Sequence, residues 1–512
     1  MPGAVSAPVD SSAISSAVGA LDLADLARRR WYAAKDVGPS SVSLAHAFVL
    51  AEDAVLALVD VTSHEPARDG ARPRGRARVD RYAVPFARSS GAWREAAEGD
   101  GTWRALAAAI ADGRTIAALT TDGDTTTGAA GEGSGQVAAA LVCRPAAGFT
   151  AAWEDAASTV ATAVEAALGR DQSNTSVVLG DRLLLKAFRR IQPGLNPDLE
   201  LTAYLSEEAG FAGVPRLAGW AEVVTRESGA ATVAMLQAFV ADAEDAYEKI
   251  AEFLAGLVAA PGEVSIEWAT EVAADLGTLA AGMHAALATP PPDAPELAPR
   301  EASREELRAW RLDAHRQLNA ALPAVAAVDR ETAKELEHAA SAIAARVSRF
   351  EAVAATPTVM RIHADLHLGQ ILVSEDGYRI IDFEGEPLRP IEERRRPDSP
   401  LRDVASLLRS LDHVARSAGR RAERRSGPIE RPGLDVDAWI ERARERFLAA
   451  YVAGLRQTDA PITVDLDLLD AFEVAKECYE FVYAATVLPS WLWAPREGMR
   501  WLLEHGEGGD EQ

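Results

Sequence analysis

Two acidic centres lie within one short stretch, Arg361 to Pro387, which reads RIHADLHLGQILVSEDGYRIIDFEGEP. The first is Asp365, set in His363-Ala364-Asp365-Leu366-His367 and followed by Gln370. The second is Asp382, in Ile380-Ile381-Asp382-Phe383-Glu384-Gly385. An aspartate on a loop can orient an attacking hydroxyl and accept its proton. A carboxylate and an amide oxygen held together can bind Mg²⁺ on nucleotide phosphates. This set suits phosphoryl transfer, in which positioning and charge neutralisation carry most of the catalysis. The plain alternative is a surface hairpin with incidental acids.

The elements between these residues must bring them together. Ile371 to Val373 is apolar, Ser374 to Gly377 is a polar turn, and Tyr378 to Ile381 is apolar again, which predicts a β-hairpin. Its outer ends should place Gln370 beside Asp382 with Asp365 close by. Upstream, Asn174 to Lys186 reads as strand, turn at Gly180-Asp181, and strand. Lys186 ends an apolar run, and a buried lysine needs an anionic partner. Nucleotide phosphates or a helix carboxylate would serve; a lysine reaching solvent is the alternative. A helix is predicted over 198–209, with Asp198 as N-cap and Glu200 in its first turn, within reach of Lys186. Strands follow over 214–220 and 230–239. Gln237-Ala238-Phe239-Val240 is then either a hinge whose backbone binds an adenine edge or an ordinary strand end.

Composition bounds the rest. The chain has 512 residues, 48% of them hydrophobic and 25% charged, enough for two or three soluble domains. With 53 basic and 77 acidic side chains its net charge is −24, which argues against a general nucleic-acid surface. Cys143 and Cys478 are the two cysteines, so neither a disulfide framework nor a zinc site is implied. The first residues carry no basic, apolar leader pattern, and no apolar run reaches the ~18 residues of a membrane span, so a cytoplasmic protein is expected. Residues 1–20 are Ser/Ala-rich and read as disordered. Strands over 42–50, 54–61, 79–87 and 137–144, with a helix over 94–118, predict a small α+β module across 21–150. From Asp242 the apolar spacing is helical, over 242–258, 266–286, 301–322 and 330–351. After the hairpin it is helical again over 400–417, 435–456, 466–486 and 492–504, with a basic loop from Arg416 to Pro432. Segregated strands and helices make the fold class α+β.

Strand-turn-strand-Lys, helix acid, hinge, Asp-x-x-x-x-Gln and hairpin-Asp-Phe is the order of parts in protein-kinase-like folds. His363 to Gln370 and Ile381 to Pro387 resemble the aminoglycoside-phosphotransferase branch of that superfamily. RRWYAAK (29–35), SNTSVVLGDRLLLKAFRRIQPGLNPDLEL (173–201), HADLHLGQIL (363–372) and the run over 381–415 are similar to maltokinases within it. The resemblance implies a bilobal fold with an N-terminal cap over 21–150, a nucleotide lobe over 151–240 and a helical catalytic and sugar-binding lobe over 241–512. It implies ATP and Mg²⁺, with maltose as acceptor and a place in α-glucan synthesis, where a maltose-producing partner enzyme is conceivable. By this resemblance Asp365 would be the catalytic base, and Gln370 and Asp382 would bind Mg²⁺. Lys186 would meet the α/β-phosphates and pair with Glu200. Ser173, Asn174, Thr175 and Ser176 would cover the phosphates, and Gln237, Phe239 and Val240 would form the hinge.

His363 reads as orienting the catalytic loop, and Asp403 as a carboxylate that holds it. His367, Glu384, Tyr479, Glu480, Tyr483 and Trp491 are candidate sugar contacts, since aromatics stack on sugar rings and carboxylates pair with hydroxyls. Glu386 belongs with Glu384 as a metal or sugar candidate. Val487-Leu488-Pro489 before the tryptophan, and Asp242 to Glu248 after the hinge, depart from the maltokinase pattern. They leave open a related branch that phosphorylates glucosamine, whose amine would favour acids. A non-catalytic kinase-like scaffold is the reading from another class.

Overall fold

The computed structural model describes residues 9–35, 37–64, 77–119, 139–147, 160, 162–168, 174–227, 229–290, 297–385 and 391–505. The chain divides into two compact units, Met1–Glu207 with Pro215–Ala241, and Glu208–Val214 with Asp242–Gln512.

The first unit opens with helix α1 (Ser11–Gly19), where the sequence suggested disorder. Asp10 caps its N-terminus, and Ile14 and Val18, four residues apart, are fully buried. That apolar pair outweighs the Ser/Ala-rich composition. Helix α2 (Leu23–Arg28) leads to an antiparallel meander of β1 (Pro39–Ala51), β2 (Ala54–Ser63) and β3 (Arg78–Ser89), with β4 (Ala92–Glu95) paired to β3. Strand β2 is buried on both faces. Val55, Ala57, Val59 and Val61 pack towards α1, while Leu56 and Leu58 pack towards helix α3 (Thr102–Ala111). The helix expected over 94–118 is confined to α3, because β4 precedes it and Gly101, at φ 88°, turns the chain into it. The Glu165 carboxylate accepts the N–H groups of Gly99, Gly101 and Arg104 at 2.8, 3.1 and 2.7 Å, satisfying that helix N-terminus.

A second sheet joins cap and nucleotide-lobe segments. Its strands are β5 (Thr115–Ala117), β6 (Ala139–Pro145), β7 (Glu165–Ala167), β8 (Thr175–Leu179), β9 (Leu183–Ala187), β11 (Leu217–Thr225) and β12 (Gly229–Ala238), in the spatial order β5-β6-β11-β12-β9-β8-β7. The short β10 (Arg190–Ile191) pairs with β3 instead. Strands from the expected cap therefore continue directly into the sheet that carries Lys186. Helix α4 (Pro197–Ala203) follows, and the chain goes on as a π-helix over Tyr204–Glu208. Its N-cap is Asn196, with Pro197 in the first turn, rather than Asp198.

The second unit is helical around the expected hairpin. Its helices are α5 (Ala246–Val258), α6 (Ile266–Ala269), α7 (Glu271–Leu287), α8 (Arg304–Val328), α9 (Arg330–Ser348), α10 (Ile391–Arg394), α11 (Pro400–Ser426), α12 (Val436–Gln457), α13 (Leu466–Val487) and α14 (Trp493–His505). Short strands β13 (Glu244–Asp245), β14 (Arg300–Glu301) and β15 (Thr358–Val359) precede the hairpin of β16 (Ile371–Ser374) and β17 (Gly377–Ile380). Helix α11 runs nine residues past its expected end, through most of the expected basic loop, and stops at Gly427 with φ 77°. Its basic face is matched by acids on α5: Arg421 pairs with Glu248 and Arg425 with Glu252. Among the described residues no helix is long and apolar enough to cross a membrane.

Candidate active site

The hairpin does what the spacing demanded. Ile371 pairs with Ile380, the Ile381 N–H donates to the Gln370 carbonyl at 2.9 Å, and the Gln370 amide donates to Asp382 Oδ2 at 3.2 Å. Gln370 and Asp382 are thus side by side.

The loop bearing Asp365 is fixed from behind. Asp403, buried in the first turn of α11, accepts the N–H groups of His363 and Ala364 at 2.8 and 2.9 Å. Asp403 also meets His284 Nε2 at 3.2 Å, and the other nitrogen of that ring meets the Tyr451 hydroxyl at 2.8 Å. His363 joins the two acidic segments. Its Nδ1 accepts the Asp365 N–H at 3.3 Å, so Nε2 carries the proton and donates to the Ile381 carbonyl at 3.0 Å. Its ring lies 4.6 Å from that of Phe383. Neither ring nitrogen is left for a metal, which supports an orienting role.

Backbone strain collects at the same place. Ala364 and Asp382 have φ of 69° and 68°, in the left-handed region. Such a conformation costs a non-glycine residue about 1–3 kcal/mol and persists where neighbours over-determine it. Here Asp403 holds Ala364, while Gln370 and the His363–Ile381 bond hold the Asp382 segment.

A charged cluster flanks Asp365. Lys476 Nζ, on α13, lies 3.1 Å from Glu480, 3.9 Å from Asp365 and 4.9 Å from the centre of the Tyr479 ring. Burial disfavours the Lys476 ammonium, but Glu480 and Asp365 outweigh it and hold its pKa above the usual lysine value. Burial likewise pushes Glu480 up, yet Lys476 and His413 bring it below the ordinary glutamate value. Burial lowers the His367 imidazole against the pull of Asp365, so it is neutral at pH 7; its Nδ1 accepts the Gly369 N–H at 3.1 Å. Two carboxylates therefore face one ammonium.

Beside this cluster a crevice of about 40 Å³ is lined by Ala364, Lys476, Tyr479 and residues of α8 that include Trp310, Asp313 and Gln317. The buried Ser406 hydroxyl also lines it, without a hydrogen-bond partner among the described residues. Ala364, Trp310, Asp313 and Arg402 also line an adjoining cavity of about 450 Å³, within the size range of small-molecule sites. The α8 residues were not anticipated. Their spacing of i, i+3 and i+7 puts an aromatic, an acid and an amide on one helix face, a signal the sequence carried.

Other expected contacts fall differently. Tyr483 stacks one turn above Tyr479, with ring centres 6.5 Å apart, and is 39% exposed. Trp491 packs among the rings of Tyr247, His413 and Trp493. Neither contact directs these two side chains to Asp365. Glu384 lies 3.7 Å from Arg394, whose guanidinium also donates to the Glu384 carbonyl at 2.9 Å.

In the first unit Lys186 is 9% exposed, and its ammonium meets Asp198 at 2.6 Å. Asp198 joins Glu200, the partner expected from the sequence, as a carboxylate of the same helix turn. With Asn196 capping the helix, the Asp198 carboxylate is available to the lysine. Thr175 and Ser176 begin β8, with Ser176 opposite Lys186 in register, and Asn174 immediately precedes the strand. The Phe239 N–H already donates to the Arg182 carbonyl at 2.8 Å, so residue 239 cannot offer that donor to an adenine; Gln237 lies within β12, and Val240 follows it. Ser173 and Glu386 lie outside the described residues.

Comparison with known proteins places these geometries in a family. The model of the phosphotransferase enzyme family matches residues 164–460, more than half of the chain. Glucosamine kinase from Streptacidiphilus jiangxiensis is 33% identical over 346 residues, covering 65% of this chain and 72% of that protein. Glucosamine kinase from Mycolicibacterium smegmatis is 28% identical over 344 residues, covering 66% and 79%. A solved glucosamine kinase in complex with glucosamine, ADP and inorganic phosphate superposes with a TM-score of 0.67 at 27% identity, over 95% of this chain and 98% of that one. These relatives belong to the branch that the sequence motifs placed second, and they lend maltose no support. The chain belongs to the phosphotransferase enzyme family, as a sugar-kinase-like, protein-kinase-related α+β protein.

Proposed function

We propose that the protein transfers the γ-phosphoryl group of ATP to a hydroxyl of an amino sugar, glucosamine being the first candidate. The observation that carries this reading is the likeness to a glucosamine- and ADP-bound kinase along nearly the whole chain. The charge around Asp365 agrees with it. Asp365 and Glu480 are two carboxylates beside the crevice, and a protonated sugar amine would find an anionic partner there.

In this reading Asp365 orients the acceptor hydroxyl and takes its proton as the phosphoryl group transfers. Asp403 and His363 keep the loop in place, so the base needs little reorganisation. Lys186, steadied by Asp198, would engage the nucleotide phosphates. Asn174 and Ser176 would lie along them, whereas Thr175 turns to the other face of the strand, towards Arg189; Gln237 and Val240 would stand at the adenine end. The donor set of Gln370 and Asp382, an amide oxygen and a carboxylate, fits a hard cation such as Mg²⁺ once the amide turns its oxygen inward. That ion, when bound, would neutralise charge on the transferring phosphates. Tyr479, Glu480, Trp310 and Asp313 would line the acceptor.

The test is ADP release with Mg-ATP against glucosamine, maltose, glucose and no sugar, with the product position read by NMR. Turnover on glucosamine above the sugar-free rate is expected. Turnover on maltose alone would restore the maltokinase reading. Nucleotide binding without turnover on any sugar would favour a non-catalytic scaffold.

A further inference from the structure

The phosphoryl-transfer reading leaves one motif unused, the Arg29-to-Lys35 stretch of the cap. In the first unit a cavity of about 570 Å³ lies against it, lined by Arg29, Trp31, Glu95, Trp103, Thr175 and Arg189 among others. Arg189 is 4% exposed, with its guanidinium 4.7 Å from the centre of the Trp31 ring and 5.8 Å from that of Trp103.

This buried cation is poorly matched. Its contacts are long, 3.3 Å to the Thr175 hydroxyl and 3.4 Å to Glu95, and its Nε has no partner among the described residues. Glu95 is already gripped by Arg29 at 2.5 and 3.0 Å, and Arg29 grips Asp25 as well, at 2.9 and 2.7 Å. Burial pushes the Arg189 guanidinium down to about 10, with Glu95 only partly opposing. A buried charge this weakly paired is costly unless something completes it.

Asn174 and Ser176 also line the cavity, but its buried end, at Arg189 and Thr175, lies across the strand from Lys186. In the β8–β9 register Ser176 lies opposite Lys186 and Thr175 opposite Ala187. Adjacent strand residues point to opposite faces, so Thr175, which holds Arg189, faces away from Lys186. Glu98, also on the lining, is exposed and leaves the buried end basic.

We propose that this cavity is an anion site for a phosphoryl group, either free phosphate or that of a small phosphorylated metabolite. Arg189 and the Thr175 hydroxyl supply donors for an anion, and Arg29, which lines the same cavity, adds positive charge. An anion here would be sensed by the start of β8, whose other face carries Ser176 opposite Lys186. The site does not depend on which sugar is the acceptor.

Calorimetric titration of the full chain with inorganic phosphate tests this, with acetate as the carboxylate control. Wild type and Lys186→Met should bind phosphate alike, and Arg189→Gln at least tenfold more weakly. Thr175→Val, which leaves the buried charge in place, should weaken binding about threefold and serves if Arg189→Gln fails to fold. Tighter binding of glucose 6-phosphate than of phosphate would identify a metabolite site; equal or weaker binding would identify free phosphate. The proposal is overturned if wild type binds no phosphate, if acetate binds as well, or if Lys186→Met loses binding while the Arg189 and Thr175 variants keep it. Selenate soaked into crystals should give an anomalous peak within hydrogen-bond distance of Arg189; an empty cavity there would overturn it too.

Discussion

The loop that carries Asp365 and the wall that faces it are built in different ways. The loop is held through its backbone: Asp403 takes two main-chain N–H groups, His363 bridges to the Asp382 segment, and Ala364 sits in a left-handed conformation, as Asp382 does across that bridge. The wall is held through side chains on helices far apart in sequence, with Lys476 and Glu480 on α13 and Trp310, Asp313 and Gln317 on α8. Backbone anchoring tolerates few substitutions, because each lost partner leaves a buried N–H unsatisfied. A wall of side chains can change its acceptor one residue at a time. In the proposed function, the first region would fix the chemistry and the second would adjust specificity.

This contrast can be broken at either end, and the largest effect belongs to the loop. Asp365→Asn should lower kcat by about 10²–10⁴-fold while calorimetric nucleotide affinity stays unchanged. A kcat within tenfold of wild type would remove Asp365 from the role of base. Asp403→Asn comes next, since its new NH₂ must face a backbone N–H. It should destabilise the chain by about 2–4 kcal/mol in urea unfolding and slow turnover as well. An unchanged midpoint would mean that the loop does not lean on Asp403.

On the wall, Lys476→Met should act on the acceptor more than on the chemical step. Without Lys476, burial of Glu480 is less opposed and its pKa rises. Glucosamine KM should then climb at a higher pH than in wild type as the solution is acidified. Identical pH profiles would show that Glu480 does not meet the acceptor. The smallest effect is expected at the root of α8. Arg300, above all, and the Ser303 N–H hold Glu306 down to about 2, well below the usual 4.5. A carboxylate lowered on folding adds stability above its unfolded pKa and loses it as pH falls through the folded one. Wild type should therefore lose stability between about pH 4.5 and 2 slightly faster than Glu306→Gln, as followed by urea midpoints across that range. Parallel curves would rule out this contribution.

The catalytic half was legible in the sequence because it is local. Gln370 and Asp382 are joined by a hairpin whose turn and apolar runs set their separation, and Asp403 followed from a carboxylate behind the loop. The acceptor half was less legible because its partners are remote. Lys476 meets Asp365 across more than a hundred residues, and Trp310 reaches the crevice from a helix that read as ordinary core. Where several acids crowd a helix start, spacing could not choose among them. Asn196 took the cap and left Asp198 for Lys186. The aromatic C-terminus misled for a related reason, since Trp491 could stack on neighbouring rings as readily as on a sugar. Helix α1 escaped notice because composition spoke louder than one buried pair, Ile14 and Val18.

The central claim is that Asp365 works on a cationic sugar. Its most direct test is the ratio of kcat/KM for glucosamine to that for glucose, measured on the wild-type chain at pH 7 with saturating Mg-ATP. An amine that meets the carboxylates of Asp365 or Glu480 predicts a ratio of at least about ten, roughly 1.4 kcal/mol in favour of the amine. A ratio near one, or below it, would contradict the account.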